Sequence, residues 1–441
     1  MRLFCFALFG LFNGLCLLLD EILFPGYRRA KIEAPVFILG NPRSGTTYLH
    51  RTLSRDEGRF FVFKTWEILF PSVLQKKLGS LLGAIDRAVG SPMFRLVTYV
   101  ERRLLGKFRD LHPTGLFHAE EDEMLFLHAF ASLYLVFLFP LPSAFLPFAD
   151  FDHNVPEPRR KRLMAFYTSC LKRQAYARGR GKTFLSKNPF FSGKMASLHA
   201  TFPDARFIYL IRNPLEAIPS TISEGYATCV YAPRNSAPSQ EFQSLVYDVA
   251  KVFYRRPLAY AAAHPECMCP ILRFTDVTAR PLDTIAGLYQ QLGLPMTDGF
   301  RGLLAQEQAK AASYRSSHEY VLGQFVIPAR RITEDLADVF DKFGFSRDVP
   351  VRSSAPAHFK PVPLSPAENI IHRAWEEYDG DGTGAVRWRF RGIVDVALLR
   401  AALERLQQLH PKLKVGIAVG ANGGRYFDMA QTPNPIPVVV V

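Results

Sequence analysis

The densest apolar run in the chain lies at its start. Residues 4–19, FCFALFGLFNGLCLLL, contain one polar side chain, Asn13. As a helix this run is about 24 Å long, just short of a usual membrane span. Arg2 precedes it and Asp20 and Glu21 close it. Three readings stay open: a helix packed on the domain or lying at a membrane surface, a short signal anchor, or a core helix. A second apolar stretch covers residues 124–148 and is interrupted by Pro140, Pro142 and Pro147. It predicts a buried helix followed by a turn, and equally the wall of an apolar pocket. Between and beyond these stretches the pattern changes to short continuous apolar runs. Residues 35–39 (PVFIL) and 207–211 (FIYLI) have the form of strands buried on both faces of a parallel sheet, and a further strand is expected at 183–186. Helical patterns occupy about 160–177 and 327–346. A Pro/Ser-rich linker follows at 348–366.

Composition narrows the class. The chain has 441 residues, 48% of them hydrophobic and 21% charged, which excludes wholesale disorder and allows one large domain or a domain with an annex. The formal net charge of +14 favours anionic partners without choosing among phosphates, nucleotides, nucleic acid and an anionic membrane face. The basic runs RRKR (159–162) and RGRGK (178–182) lack the aromatic interleaving of a single-strand binder, so no nucleic-acid partner is expected. The six cysteines are too sparse for a disulfide scaffold and form no zinc-ligand cluster.

Two turns carry candidate chemistry. GNPRSGTT (40–47) follows the first strand and opens a helix, a layout that aims backbone N–H groups and a helix N-terminus at one anion. It has the glycine spacing of a Walker A loop but Thr46 where a nucleoside triphosphatase has lysine, and its cation comes earlier, at Arg43. The second turn follows 207–211. Arg212 sits at the strand's C-terminal end, Asn213 can cap the next helix, Pro214 suits its first turn, and Ser220 lies further along it. Ligands of open α/β sheets gather at C-terminal strand ends, which puts Arg212 and Ser220 near the loop. Two anion sites on two βα units suit a nucleotide phosphorylated at both its 5′ and 3′ ends.

The loop GNPRSGTTYLH and the segment IRNPLEAIPS resemble the 5′-phosphosulfate and 3′-phosphate motifs of sulfotransferases that use 3′-phosphoadenosine 5′-phosphosulfate (PAPS), including the Arg-to-Ser spacing of eight. FLSKNPFF (184–191) resembles the family's lysine-containing segment, and SYRSSHEYVLGQF (313–325) a late segment of bacterial members. The resemblance covers about residues 20–345. It implies an α/β fold, a three-layer P-loop-type domain with a central parallel sheet flanked by helices. It also implies PAPS as co-substrate, adenosine 3′,5′-bisphosphate as product, no metal, and a donor site built from Arg43, Ser44, Gly45, Thr46, Thr47, Tyr48, Arg212 and Ser220, with Lys187 at the transferring group. The Lys-Thr-His base motif of cytosolic members is absent; Lys64-Thr65-Trp66-Glu67 stands in its neighbourhood. Glu67 is therefore the first expectation for the general base, with His118 next and Glu121 or its neighbour Glu120 after it. The Phe- and Leu-rich region 60–150 is expected to form the acceptor pocket, for a largely apolar hydroxylated small molecule or lipid. The other readings are a non-catalytic phosphonucleotide-binding protein at a membrane and a P-loop kinase.

The expected organisation is an apolar N-terminal helix (1–30), a sulfotransferase domain (31–346), a linker (347–366) and a small α+β annex (367–441). The annex resembles the opening part of a condensation or acyltransferase domain but lacks its HHxxxD motif. Cytoplasmic placement or peripheral membrane contact is expected, and a homodimer is left open.

Overall fold

The computed structural model describes residues 2–109, 115–139, 142–229, 238–313 and 327–348, together with three short strands nearer the C-terminus. Five parallel strands form the central sheet: β1 (Val36–Gly40), β2 (Phe60–Phe61), β3 (Thr183–Lys187), β4 (Arg206–Ile211) and β5 (Ile271–Arg273), in the order β2-β3-β1-β4-β5. β1 lies at the centre, with Ile38 beside Lys187 of β3 and Gly40 beside Leu210 of β4.

The apolar runs alternate between two cores. Phe37, Leu39, Phe184, Phe207 and Tyr209 face one side, where Tyr167, Cys170 and Leu171 of the long helix Glu157–Arg178 pack. Val36, Ile38, Leu185, Ile208 and Leu210 face the other, against Leu49 and Leu53 of the helix Thr46–Leu53 and Ile285 and Leu288 of the helix Pro281–Gln291. A strand apolar at every position thus fills two layers at once, the three-layer α/β architecture.

The N-terminal run is a helix, α1 (Arg2–Leu23). Its C-terminal half is fastened to the domain by a buried carboxylate. Asp20 accepts from Ser72 Oγ at 2.7 Å, from the amides of Val73 and Leu74, and from Arg173 Nε at 2.8 Å. The guanidinium of Arg173 also lies 3.9 Å from the centre of the Tyr27 ring. Among the described residues no helix is long and apolar enough to cross a membrane.

Two expectations are corrected. The stretch 124–148 is not one helix and a turn. It opens in a 3₁₀ segment, Asp122–Ala129, ended by Phe130 in the left-handed region (φ 49°), and continues in the short helices Leu135–Leu138 and Pro142–Phe145. The helix expected over 327–346 is two, Ala329–Asp335 and Ala337–Phe343, divided at the fully buried Leu336.

The chain divides into two compact units, Met1–Val349 and Pro350–Val441. In the second, Val362–Pro363, Gly416–Val419 and Arg425–Asp428 form an antiparallel sheet with the Arg425 strand in the middle. The rest of the annex, and the segment 314–325, lie outside the described residues.

Candidate active site

Because β3, β1 and β4 are parallel neighbours, their C-terminal ends share one edge of the sheet. Lys187 ends β3, the loop 41–45 leaves β1, and Arg212 follows β4. Three segments far apart in sequence are brought together by strand order alone.

The loop's glycines are required by contact. Gly40 has φ 145°, and a Cβ there would lie 2.4 Å from the Leu210 carbonyl oxygen. Gly45, which caps the helix α2 (Thr46–Leu53), has φ 87°, and a Cβ would meet the Phe274 ring at 2.7 Å. Arg43 occupies the left-handed region without being glycine (φ 65°). That conformation costs on the order of 1 kcal/mol and is held at both ends. Arg43 Nε donates to Ser220 Oγ at 2.9 Å, its Nη1 pairs with Glu224 at 3.1 Å, and its carbonyl accepts from Arg212 Nη1 at 2.9 Å. Thr221 Oγ1 donates to the Pro42 carbonyl at 3.2 Å. The loop and the helix Pro214–Thr228 are thus one hydrogen-bonded unit. Asn213 and Pro214 start that helix as the sequence predicts, Asn213 Oδ1 accepting from the Leu215 amide at 2.9 Å.

The loop also holds polar groups suited to a ligand. Asn41 and Ser44 are buried, and Oδ1 and Nδ2 of the first and Oγ of the second have no hydrogen-bond partner within the protein. Leaving such groups unpaired is costly. The first-turn amides of α2, by helix geometry, lack intrahelical acceptors. Thr46 is buried, and Thr47 and Tyr48 are half-buried on that turn. Such groups at a helix N-terminus, with Arg43 in the same loop, are of the kind an anion would satisfy.

The acidic segment 120–123 docks onto the end of β3 side chain by side chain. Glu121 forms an ion pair with Lys187, which is itself almost wholly buried, and lies 3.4 Å from Asn188 Nδ2. Asp122 accepts from Ser186 Oγ at 2.7 Å and from the Tyr167 hydroxyl. Glu123 pairs with Lys194 at 2.7 Å, both fully buried, and accepts from Ser132 at 2.7 Å. Burial pushes the Asp122 carboxyl up to about 7 against the hydrogen bonds from Tyr167 and Ser186. It raises Glu123 as well, against the pull of Lys194. Asp122 and Glu123 fix the segment so that Glu121 meets Lys187.

The other expected base residues lie in different surroundings. Glu67 is buried and caps the helix α3 (Thr65–Leu69). Its Oε2 accepts from the Lys64 amide at 3.0 Å and from Gln174 Nε2 at 2.9 Å, and its Oε1 from Arg178 Nε at 3.1 Å. Three donors from the fold occupy a carboxylate that the sequence suggested for proton transfer. His118 is exposed, and its backbone carbonyl accepts from the Thr65 amide. Glu120 is buried next to Glu121. His50, on α2, is buried, and its imidazole is pushed down to about 3, first by burial and then by the Lys187 charge.

Sequence reasoning missed three contributors. Glu224 stands one turn after Ser220 on the same helix, a spacing legible in the sequence. Asn188 follows Lys187 directly and holds both the Tyr134 hydroxyl, at 3.3 Å, and Glu121. Phe274 packs on Gly45 and lies 4.3 Å from the Arg212 guanidinium, which a sequence alone gives no means of finding.

A model of the sulfotransferase family matches residues 35–298. The chain is 27% identical over 348 residues to an omega-hydroxy-beta-dihydromenaquinone-9 sulfotransferase, Stf3, of Mycobacterium bovis, covering 75% of this chain and 79% of that protein; the Mycobacterium tuberculosis counterpart matches equally. Two solved sulfotransferases share the fold: STF9 of Mycobacterium avium (TM-score 0.57, 18% identity, 73% of this chain and 80% of that one) and STF1 of Mycobacterium tuberculosis (TM-score 0.56, 19% identity, 75% and 83%). With the motif-bearing strands, the loop and the acidic segment all inside the matched region, this chain belongs to the sulfotransferase family.

Proposed function

We propose that the protein transfers a sulfuryl group from PAPS to a hydroxyl of a largely apolar acceptor. The observation that carries the donor assignment is the 2.9 Å hydrogen bond between Arg43 and Ser220. It brings the two expected anion sites within reach of one nucleotide. In this reading the α2 amides, Ser44, Thr46, Thr47 and Arg43 hold the 5′-phosphosulfate, while Arg212 and Ser220 hold the 3′-phosphate.

Glu121 is the proposed base in preference to Glu67 and His118, because it is the carboxylate in contact with Lys187. The acceptor oxygen attacks sulfur as its proton passes to Glu121. The bond from sulfur to the bridging phosphate oxygen breaks, and adenosine 3′,5′-bisphosphate leaves with its new charge facing Lys187 and Arg43. A well-placed donor at such a charge is worth about 3 kcal/mol in the transition state. Alignment of the two oxygens by the fixed segments 41–47 and 120–123 supplies the remainder.

The acceptor class rests on an apolar crevice lined in part by the segment that follows Glu121. A narrow apolar crevice runs between Phe6 and Phe9 of α1 and Ile68, Met124, Leu127 and Phe130. Met124 and Leu127 lie on the 3₁₀ segment that begins immediately after Glu121. Such a crevice suits a hydrocarbon chain carrying a hydroxyl, in keeping with the hydroxylated menaquinone in the relative's name.

The test is calorimetry with adenosine 3′,5′-bisphosphate in EDTA, followed by transfer of labelled sulfate from PAPS onto a lipid extract and a water-soluble metabolite extract. Binding without a metal and labelling of the lipid fraction are expected. A preference for ATP with Mg²⁺ would overturn the donor, and labelling confined to the water-soluble extract would overturn the acceptor class.

A further inference from the structure

Three N-terminal helices present apolar side chains to solvent. On α1, Leu8, Leu11, Leu15, Leu18 and Ile22 form one stripe at helical spacing, and all are exposed, Leu11 at 72% and Ile22 at 73%. The polar residues Asn13 and Asp20 are the ones turned inward and buried. The next helix, α4 (Val73–Ala88), repeats the inversion: Lys76 and Asp86 are buried, while Leu78, Leu81, Leu82 and Ile85 are exposed. On α5 (Pro92–Arg109), Met93, Phe94, Leu96 and Tyr99 are exposed.

The inward polar groups join the three helices into one surface. Gln75 Nε2 donates to Asn13 Oδ1 at 2.8 Å, and Asp20 caps the start of α4. Asp86 accepts from the amides of Met93 and Phe94 at 2.7 and 3.0 Å, capping the start of α5. A helix in water turns its charges out and its leucines in; here α1 and α4 turn Asn13, Asp20, Lys76 and Asp86 in and a row of leucines out. Among the described side chains of these helices, the exposed charges are basic and the acids are buried or half-buried. The acids of these helices are Asp20, Glu21, Asp86 and Glu101, and each is tied into hydrogen bonds. Lys77, Arg87 and Arg95 are exposed among the leucines.

We infer that α1, α4 and α5 together form a docking face for an anionic lipid bilayer, which receives the leucines at the level of the acyl chains and the lysine and arginines among its phosphates. The inference stands on helix polarity and charge, independently of the donor and acceptor assignments. The face lies on the surface of the protein, and among the described residues no helix is long and apolar enough to cross a membrane.

The experiment is co-sedimentation of the full chain with vesicles of phosphatidylcholine plus phosphatidylglycerol, and of phosphatidylcholine alone. Light scattering on the same samples without lipid gives the oligomeric state. The wild type is expected to pellet with the anionic vesicles, less so at high salt. The triple variant Leu11→Glu, Leu15→Glu, Leu81→Glu is expected to lose at least about tenfold in partition with its circular dichroism and thermal unfolding unchanged. A single variant, Leu81→Glu, gives the same direction should the triple variant unfold. A wild type that stays in the supernatant overturns the inference, as does a variant that pellets equally well. So does a wild-type dimer that the substitutions convert to monomer without any vesicle binding, since the face would then belong to a second copy.

Discussion

Arg43 and Ser220 are 177 positions apart in the chain, and Nε of the first donates to Oγ of the second at 2.9 Å. Arg212 adds a second tie through the Arg43 carbonyl. If one nucleotide spans this junction, Arg212→Ala weakens adenosine 3′,5′-bisphosphate binding by about 10–100-fold, the usual worth of a hydrogen bond to a charged group. Ser220→Ala costs less. Glu216→Gln, which removes only the half-exposed partner of Arg212 at 2.9 Å, leaves affinity nearly unchanged. Calorimetry on the three variants checks this; equal affinity in all three would detach the 3′-phosphate from Arg212.

Glu121 and Glu67 separate by the kind of damage their loss causes. Glu121→Gln is expected to lower kcat by about 10²–10⁴-fold while bisphosphate affinity stays within a few-fold. Glu67→Gln is expected to act on folding, because Lys64, Gln174 and Arg178 lose a shared buried acceptor. Its cost is about 1–3 kcal/mol in urea unfolding, with kcat nearly intact. The opposite assignment of the two effects would return the base to Glu67.

Lys194 and Glu123 form an ion pair with no solvent access to either side chain. Lys194→Met leaves a buried carboxylate without its cation and is expected to destabilise by about 3–5 kcal/mol. The double variant Lys194→Met, Glu123→Leu recovers much of that loss. It also frees the neighbouring segment, so activity should stay low after stability returns. Full activity in the double variant would show that Glu123 does not position Glu121.

Asp122 and His50 give opposite pH dependences. The folded Asp122 carboxyl is raised to about 7 from 3.8 by burial, so between those values the native chain holds a proton the unfolded chain has lost, and stability falls as pH rises. The folded His50 imidazole is lowered to about 3 from 6.5, so between those values the unfolded chain holds the extra proton, and stability rises with pH. The two oppose each other from about pH 4 to 6.5. Asp122→Asn is expected to steepen the gain in stability across that window, and His50→Asn to turn it toward a loss. Urea midpoints at half-unit pH steps measure both, and unchanged slopes would mean that neither group titrates as its burial dictates.

The apolar runs at 35–39 and 207–211, the glycines of 40–47 and the cap at Asn213 are local signals, and the structure places strands, turn and helix where they stand. Strand identity depends on a continuous apolar run, and a turn depends on which residues tolerate positive φ, so neither needs a partner elsewhere in the chain. The partition of 124–148 into short segments was not legible, because it turns on Phe130 accepting a left-handed conformation that no residue type announces.

The sequence by itself determined that this chain is an α/β protein and where its two candidate anion turns lie, since those features are written in spacing and side-chain type. Which carboxylate meets Lys187 was decided only by the tertiary structure. Glu67 and Glu121 are the same residue type, and what separates them is whether the fold surrounds the carboxylate with its own donors or sets it against the end of β3. The same holds for α1: its leucines were visible from the start, but only packing decided that Asn13 and Asp20 turn inward and the leucines out. A side chain's chemistry is local, whereas its surroundings are set by residues distant in the chain.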